Sequence, residues 1–117
     1  MNMIKRFSVL MLFLALAEPG CVPAEAQGTA VSSTEAHQLV NTGAVLLDVR
    51  TPEEFSSGHV DGARNIPVDE VSQRLGELPR DKVLVVYCRS GARSARAVGV
   101  LRGAGYQARN LGPMSAW

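Results

Sequence analysis

The runs AVLLDV (residues 44–49) and VLVVY (residues 83–87) constrain this chain more than any other feature of it. Neither alternates apolar with polar side chains, as a strand with one wet face would, so each must be buried on both faces. Helix signals lie between and around them. Ser32-Ser33-Thr34-Glu35 and Thr51-Pro52-Glu53-Glu54 each have the form of a capping box. The second adds proline at the first helical position, where its missing N–H costs nothing. These signals predict a helix over residues 32–41, stopped by Gly43, and a short one over residues 51–57, stopped by Gly58. A third helix is predicted over residues 68–75 and a fourth over residues 94–103, with Ala97, Val98 and Leu101 on one face. Residues 63–66 and 107–111 read as short strands. Buried strands separated by helices define an α/β chain whose parallel sheet is covered on both sides.

The chain has 117 residues, enough for one small domain. Its start reads as an export signal: Lys5 and Arg6 precede the apolar run FSVLMLFLALA (residues 7–17), which is short for a membrane span. Ala24-Glu25-Ala26 fits the small-x-small cleavage rule, which predicts a signal peptide over residues 1–26 and a periplasmic or secreted domain over residues 27–117. The rival reading makes Cys21 a lipoprotein cysteine, but Glu18 stands where that signal wants an aliphatic residue. Cleavage after Ala26 leaves ten basic and nine acidic residues, a balance that argues against a nucleic-acid partner. It also leaves one cysteine, Cys88, and with only two histidines present neither a structural zinc site nor any other cofactor is expected.

Cys88 ends the second apolar run and is followed by Arg89, Ser90, Gly91, Ala92, Arg93 and Ser94. In an open parallel sheet, ligands bind beyond the carboxyl ends of the strands, where Asp48 and Arg50 also fall. A cysteine at the end of an apolar strand is ordinarily a small buried hydrophobe. Two arginines and a flexible turn do nothing for such a residue. They suit a reactive thiol: Gly91 lets the backbone curl, the small neighbours leave its amides open, and the following helix presents unsatisfied N–H groups. All of these favour the thiolate, so the Cys88 pKa is expected below the free value of about 8.5.

These residues resemble the single-domain rhodanese family of thiosulfate-type sulfurtransferases. LLDVRTPEEFSSGHVDGARNIPVDE (residues 46–70) resembles the family's first signature, VVYCRSGARSARAV (residues 85–98) its active-site segment, and NLGPMSAW (residues 110–117) its closing segment. The resemblance implies a rhodanese-like fold with a central parallel sheet of about five strands and helices on both faces. It implies that Cys88 is the nucleophile, which takes a sulfane sulfur as a persulfide. Arg89 to Ser94 would then cradle that persulfide, with Arg93 anchoring the donor's sulfonate and Asp48 and Arg50 supporting the rim. The implied partners are a small sulfur anion such as thiosulfate and a thiophilic acceptor such as cyanide, a thiol or a protein. Asp61 and Pro113 depart from the family's usual proline and glycine, and the end at Trp117 is expected to leave the last element frayed.

Two other functions compete. A periplasmic sulfur carrier or binding module without rapid turnover needs the same thiolate. A cysteine phosphatase or arsenate reductase needs five residues between cysteine and arginine; here four separate Cys88 from Arg93, and Ser94 takes the position the longer loop gives to arginine. Elsewhere the residues read as structural: Glu53 and Glu54 as helix caps, His37 as solvated, His59 as a structural hydrogen-bonding group, and Trp117 as core.

Overall fold

The computed structural model describes residues 29–117. The export signal, its cleavage site and Cys21 lie outside the described residues. Helix α1 (Ser33–Asn41) precedes strand β1 (Val45–Asp48), and helix α2 (Pro52–Ser57) precedes strand β2 (Arg64–Asn65). Strand β3 (Leu84–Cys88), helix α3 (Ala92–Gly103) and strand β4 (Ala108–Pro113) follow. Both capping boxes form: Ser32 Oγ accepts from the Glu35 amide, and Thr51 Oγ1 from the Glu54 amide, each at 3.1 Å.

All strands run parallel in the order β2-β1-β3-β4. The family resemblance implies about five strands, and the described sheet has the four that the sequence patterns place; Ala30 adds a single parallel bridge to Asn110 beyond β4, closed by the Val31 amide on the Asn110 carbonyl at 3.0 Å. The two central strands, β1 and β3, are buried along their whole length. Leu47, Val49, Leu84, Val86 and Cys88 face a core made with α3 residues Ala97, Val98 and Leu101. Leu46, Val85 and Tyr87 face the opposite core, made with Ala36 of α1 and with Leu111. Successive side chains of a strand point to opposite faces, so continuous apolar runs fill two cores at once.

Residues 68–75 do not form the expected α-helix. They form two 3-10 turns, Val68–Gln73 and Leu75–Glu77. Pro67 and Pro79 bracket the stretch, and Gly76 weakens it, so a tight connector that drops Val71 fully into the core replaces a regular helix. The end of the chain is also tied down rather than frayed. Trp117 stacks on His37 with ring centroids 3.7 Å apart, and its carbonyl accepts from Ser33 Oγ at 2.9 Å. His37, read as solvated, is exposed and also carries a structural contact on α1.

Candidate active site

The switch from β3 to α3 builds the site around Cys88. Gly91 caps α3 in the left-handed region, with φ of 106°. A side chain there would meet nothing closer than Pro113 Cδ at 3.7 Å, so it is the backbone conformation that demands glycine. The turn folds back over the thiol. The Gly91 amide donates to Cys88 Sγ at 3.0 Å and the Ser94 amide does so at 3.3 Å. The Ser94 hydroxyl lies 3.5 Å from the sulfur and donates to the Gly91 carbonyl at 3.0 Å.

Burial raises the Cys88 pKa, but the Ser94 hydroxyl and the amides of Ser94, Gly91 and Ser90 outweigh it and leave the thiol below the ordinary cysteine value. Hydrogen bonds do this work, with the start of α3 behind them. The sulfur itself has no exposed surface, whereas Arg89, Ser90 and Ala92 lie on the outside of the loop. Pro113 is the register partner of Cys88 on β4 and packs beside Gly91, so this departure from the family's glycine lies against the loop.

Asp48 and Arg50 lie at the same rim, but Asp48 shares the other face of the sheet with Tyr87. Asp48 is fully buried and Arg50 is 5% exposed. Arg50 Nη2 donates to Asp48 Oδ2 and to the Gly58 carbonyl, each at 2.7 Å, which fixes the loop after α2. The Arg50 guanidinium lies 5.7 Å from the centre of the Tyr87 ring. Burial pushes the Tyr87 hydroxyl up to about 12, so it stays protonated while accepting from the Val60 amide at 3.1 Å. Asn65 completes the brace by donating to the Asp48 and Arg50 carbonyls, each at 3.0 Å. No sequence signal singled out Asn65, because its role depends on the pairing of β2 with β1.

Arg93 has a partner that the sequence did not disclose. Its Nη1 donates to Glu54 Oε1 at 2.7 Å and its Nη2 to Glu54 Oε2 at 3.1 Å. Glu54 thus caps α2 and clasps α3. The Arg93 hydrogen bonds, aided by the Thr51 amide, hold its carboxyl at about 2. Arg89 has no hydrogen bond or ion pair among the described residues. Arg89, Glu54 and Arg50, with Ser57, Gly58 and Met114, line a recess of about 320 Å³ beside the loop. A larger groove of about 500 Å³ runs along α3 past Ala95, Gly99 and Arg102, and none of residues 88–94 lines it.

His59, by contrast, has the structural role its position suggests. Its Nδ1 pairs with the Phe55 carbonyl at 2.8 Å, and its ring stacks on Phe55.

Known proteins resemble this chain in sequence and fold. The family described as Rhodanese-like domain matches residues 32–117. A sulfurtransferase of Allochromatium vinosum is 40% identical over 89 residues, covering 74% of this chain and 83% of that protein. The Bacillus subtilis protein YqhL is 49% identical over 59 residues, and there the match covers 50% of this chain and 47% of the relative, under half of its length. The structure of the human single-domain sulfurtransferase TSTD1 is similar with a TM-score of 0.62 and 35% identity, covering 75% of this chain and 90% of that one. These relatives support a sulfurtransferase-type role. With its parallel sheet and its cysteine loop at the carboxyl end of β3, the chain belongs to the rhodanese-like domain family.

Proposed function

We propose that the protein moves a sulfane sulfur from a small donor to a thiophilic acceptor through a persulfide on Cys88, in the periplasm or outside the cell after cleavage behind Ala26. The observation that carries this reading is the short ring of donors around the sulfur, with the Gly91 and Ser94 amides at 3.0 and 3.3 Å. The Cys88 thiolate attacks the outer sulfur of the donor. A new S–S bond forms from the thiolate pair, and the bond to the rest of the donor breaks with its electrons on the leaving group, sulfite when thiosulfate is the donor. The acceptor then attacks the outer sulfur and releases the thiolate; cyanide leaves as thiocyanate. No external oxidant or reductant is needed. Amides already fixed around the sulfur stabilise the negative charge of thiolate and persulfide without having to reorganise, which is how preorganised donors act on a reacting anion.

Phosphate-ester chemistry fits less well. It needs a general acid for the leaving group, and Glu54, the carboxyl lining the recess, stays ionised down to about pH 2. The test is a paired measurement on the parent and on Cys88→Ser, a near-isosteric change to a far weaker nucleophile. Thiosulfate should add one sulfur to the parent by mass, cyanide should remove it, and Cys88→Ser should do neither with unchanged circular dichroism. Continuous thiocyanate production marks an enzyme; one slow turnover marks a carrier. Sulfur transfer persisting in Cys88→Ser would end the proposal.

A further inference from the structure

Charges around the recess cancel in pairs. The guanidinium of Arg50 is matched by Asp48 at 2.7 Å, and that of Arg93 by Glu54 at 2.7 Å. Only Arg89 is left without a matching carboxylate among the residues that line the recess. A compact dianion such as thiosulfate entering the recess therefore meets a single unmatched cation, on the residue that follows Cys88, with a carboxylate on the same wall.

The Glu54 carboxylate also keeps an unused acceptor. Its Oε1 accepts from the Thr51 amide at 3.0 Å, from Thr51 Oγ1 at 3.2 Å and from Arg93 at 2.7 Å. Its Oε2 accepts from Arg93 alone, at 3.1 Å. A carboxylate oxygen has room for about two donors, so Oε2 can take another. The Glu54 side chain is 26% exposed, and it lines the recess together with Arg89.

We infer that Glu54 determines donor specificity, by withholding Arg93 from a dianion and by offering Oε2 to an ammonium group. On the sulfur-transfer reading above, the site then takes an amino-acid-type persulfide, with its carboxylate on Arg89 and its ammonium on Glu54, in preference to thiosulfate. The transfer balances: the Cys88 thiolate bonds to the terminal sulfur of R–S–SH, which keeps its proton, and the cleaved bond leaves its electron pair on R–S⁻. Neither sulfite nor an added reductant is involved.

The variant to make is Glu54→Gln, which preserves the size of the side chain and an oxygen for the Thr51 amide while removing the charge. With cyanide as acceptor, the KM for thiosulfate should fall about three- to fivefold and that for cysteine persulfide should rise by about as much, the range expected of one partly exposed charge pair. The change in kcat should be smaller than either. A thiosulfate KM that stays level or rises would overturn the assignment. A second measurement needs no turnover: thiosulfate titrated calorimetrically into Cys88→Ser and into Cys88→Ser/Glu54→Gln should bind the double variant more tightly. Equal or weaker binding there would also sink it. If the parent takes up sulfur from neither donor, the sulfur-transfer reading fails, and the titration still decides whether Glu54 controls anion access.

Discussion

At the scale of single residues, Cys88 combines a lowered pKa with complete burial, and the two have separate consequences. The lowered pKa comes from hydrogen bonds that outweigh burial, so thiolate is present at pH values where an ordinary cysteine is mostly thiol. The rate of sulfur uptake should therefore rise with pH through a midpoint below that of an ordinary cysteine, and it should be level above that. The sign for stability is the same in form: a depressed folded pKa contributes stability above the unfolded value, and that contribution is lost as pH falls through the folded one. Ser94→Ala removes the hydroxyl that heads the favourable contacts while leaving both amides in place. Its pH profile for sulfur uptake should shift upward, read from single-turnover kinetics. An unchanged midpoint would assign the lowering to the backbone alone.

Elements set the geometry that those residues use. The first turn of α3 supplies the Ser94 amide to the sulfur, and Arg93 reaches from the same turn across to α2. Each residue added to a helix rotates the positions on either side of it by about 100° relative to one another. One glycine inserted between Ala92 and Arg93 should therefore carry the Ser94 amide away from Cys88 and part Arg93 from Glu54. Thiocyanate production is expected to collapse, while phosphate or arsenate binding improves because the arc of amides has widened. Phosphatase activity should still be missing, for want of a general acid. Parallel thiocyanate and oxyanion-binding measurements check this, and an insertion variant that transfers sulfur at the parent rate would show that loop length does not matter.

On the scale of the whole molecule, the thiol sits where both cores meet the rim of the sheet. Its own side chain belongs to the core under α3, and its neighbour Tyr87 to the core under α1. The brace of Asp48, Arg50 and Asn65 is buried or half-buried, and it ties the end of β1 to β2 and to the loop after α2. The remaining expectation at this scale is the destination of the chain. Export should end in cleavage after Ala26, giving a product that starts with Gln27 or its cyclised form. Intact mass of the exported protein decides the matter, and a lipid on Cys21 would refute it.

Much of this was legible in local sequence. Both capping boxes, the buried strands, the thiol at the end of β3 and the turn at Gly91 depend on neighbours within a few positions, where hydrogen-bond reach and side-chain period act directly. The four strands were legible too, but the bridge at Ala30 was less legible, since it involves too few residues to leave a pattern. So was the backbone of residues 68–77, where packing of Val71 overrode a weak helix signal. Local sequence was enough for a cysteine in a short cradle of amides and for the layers of the fold around it. What the charge of Arg93 near that cradle faces depends instead on long-range contacts. Glu54 and Arg93 are 39 positions apart and meet because β1 and β3 pair in parallel and each leads into a helix at the same rim. An ion pair of that kind depends on register and helix placement, which no local pattern encodes, and here it sets a carboxylate, paired with Arg93, on the wall of the recess beside the loop.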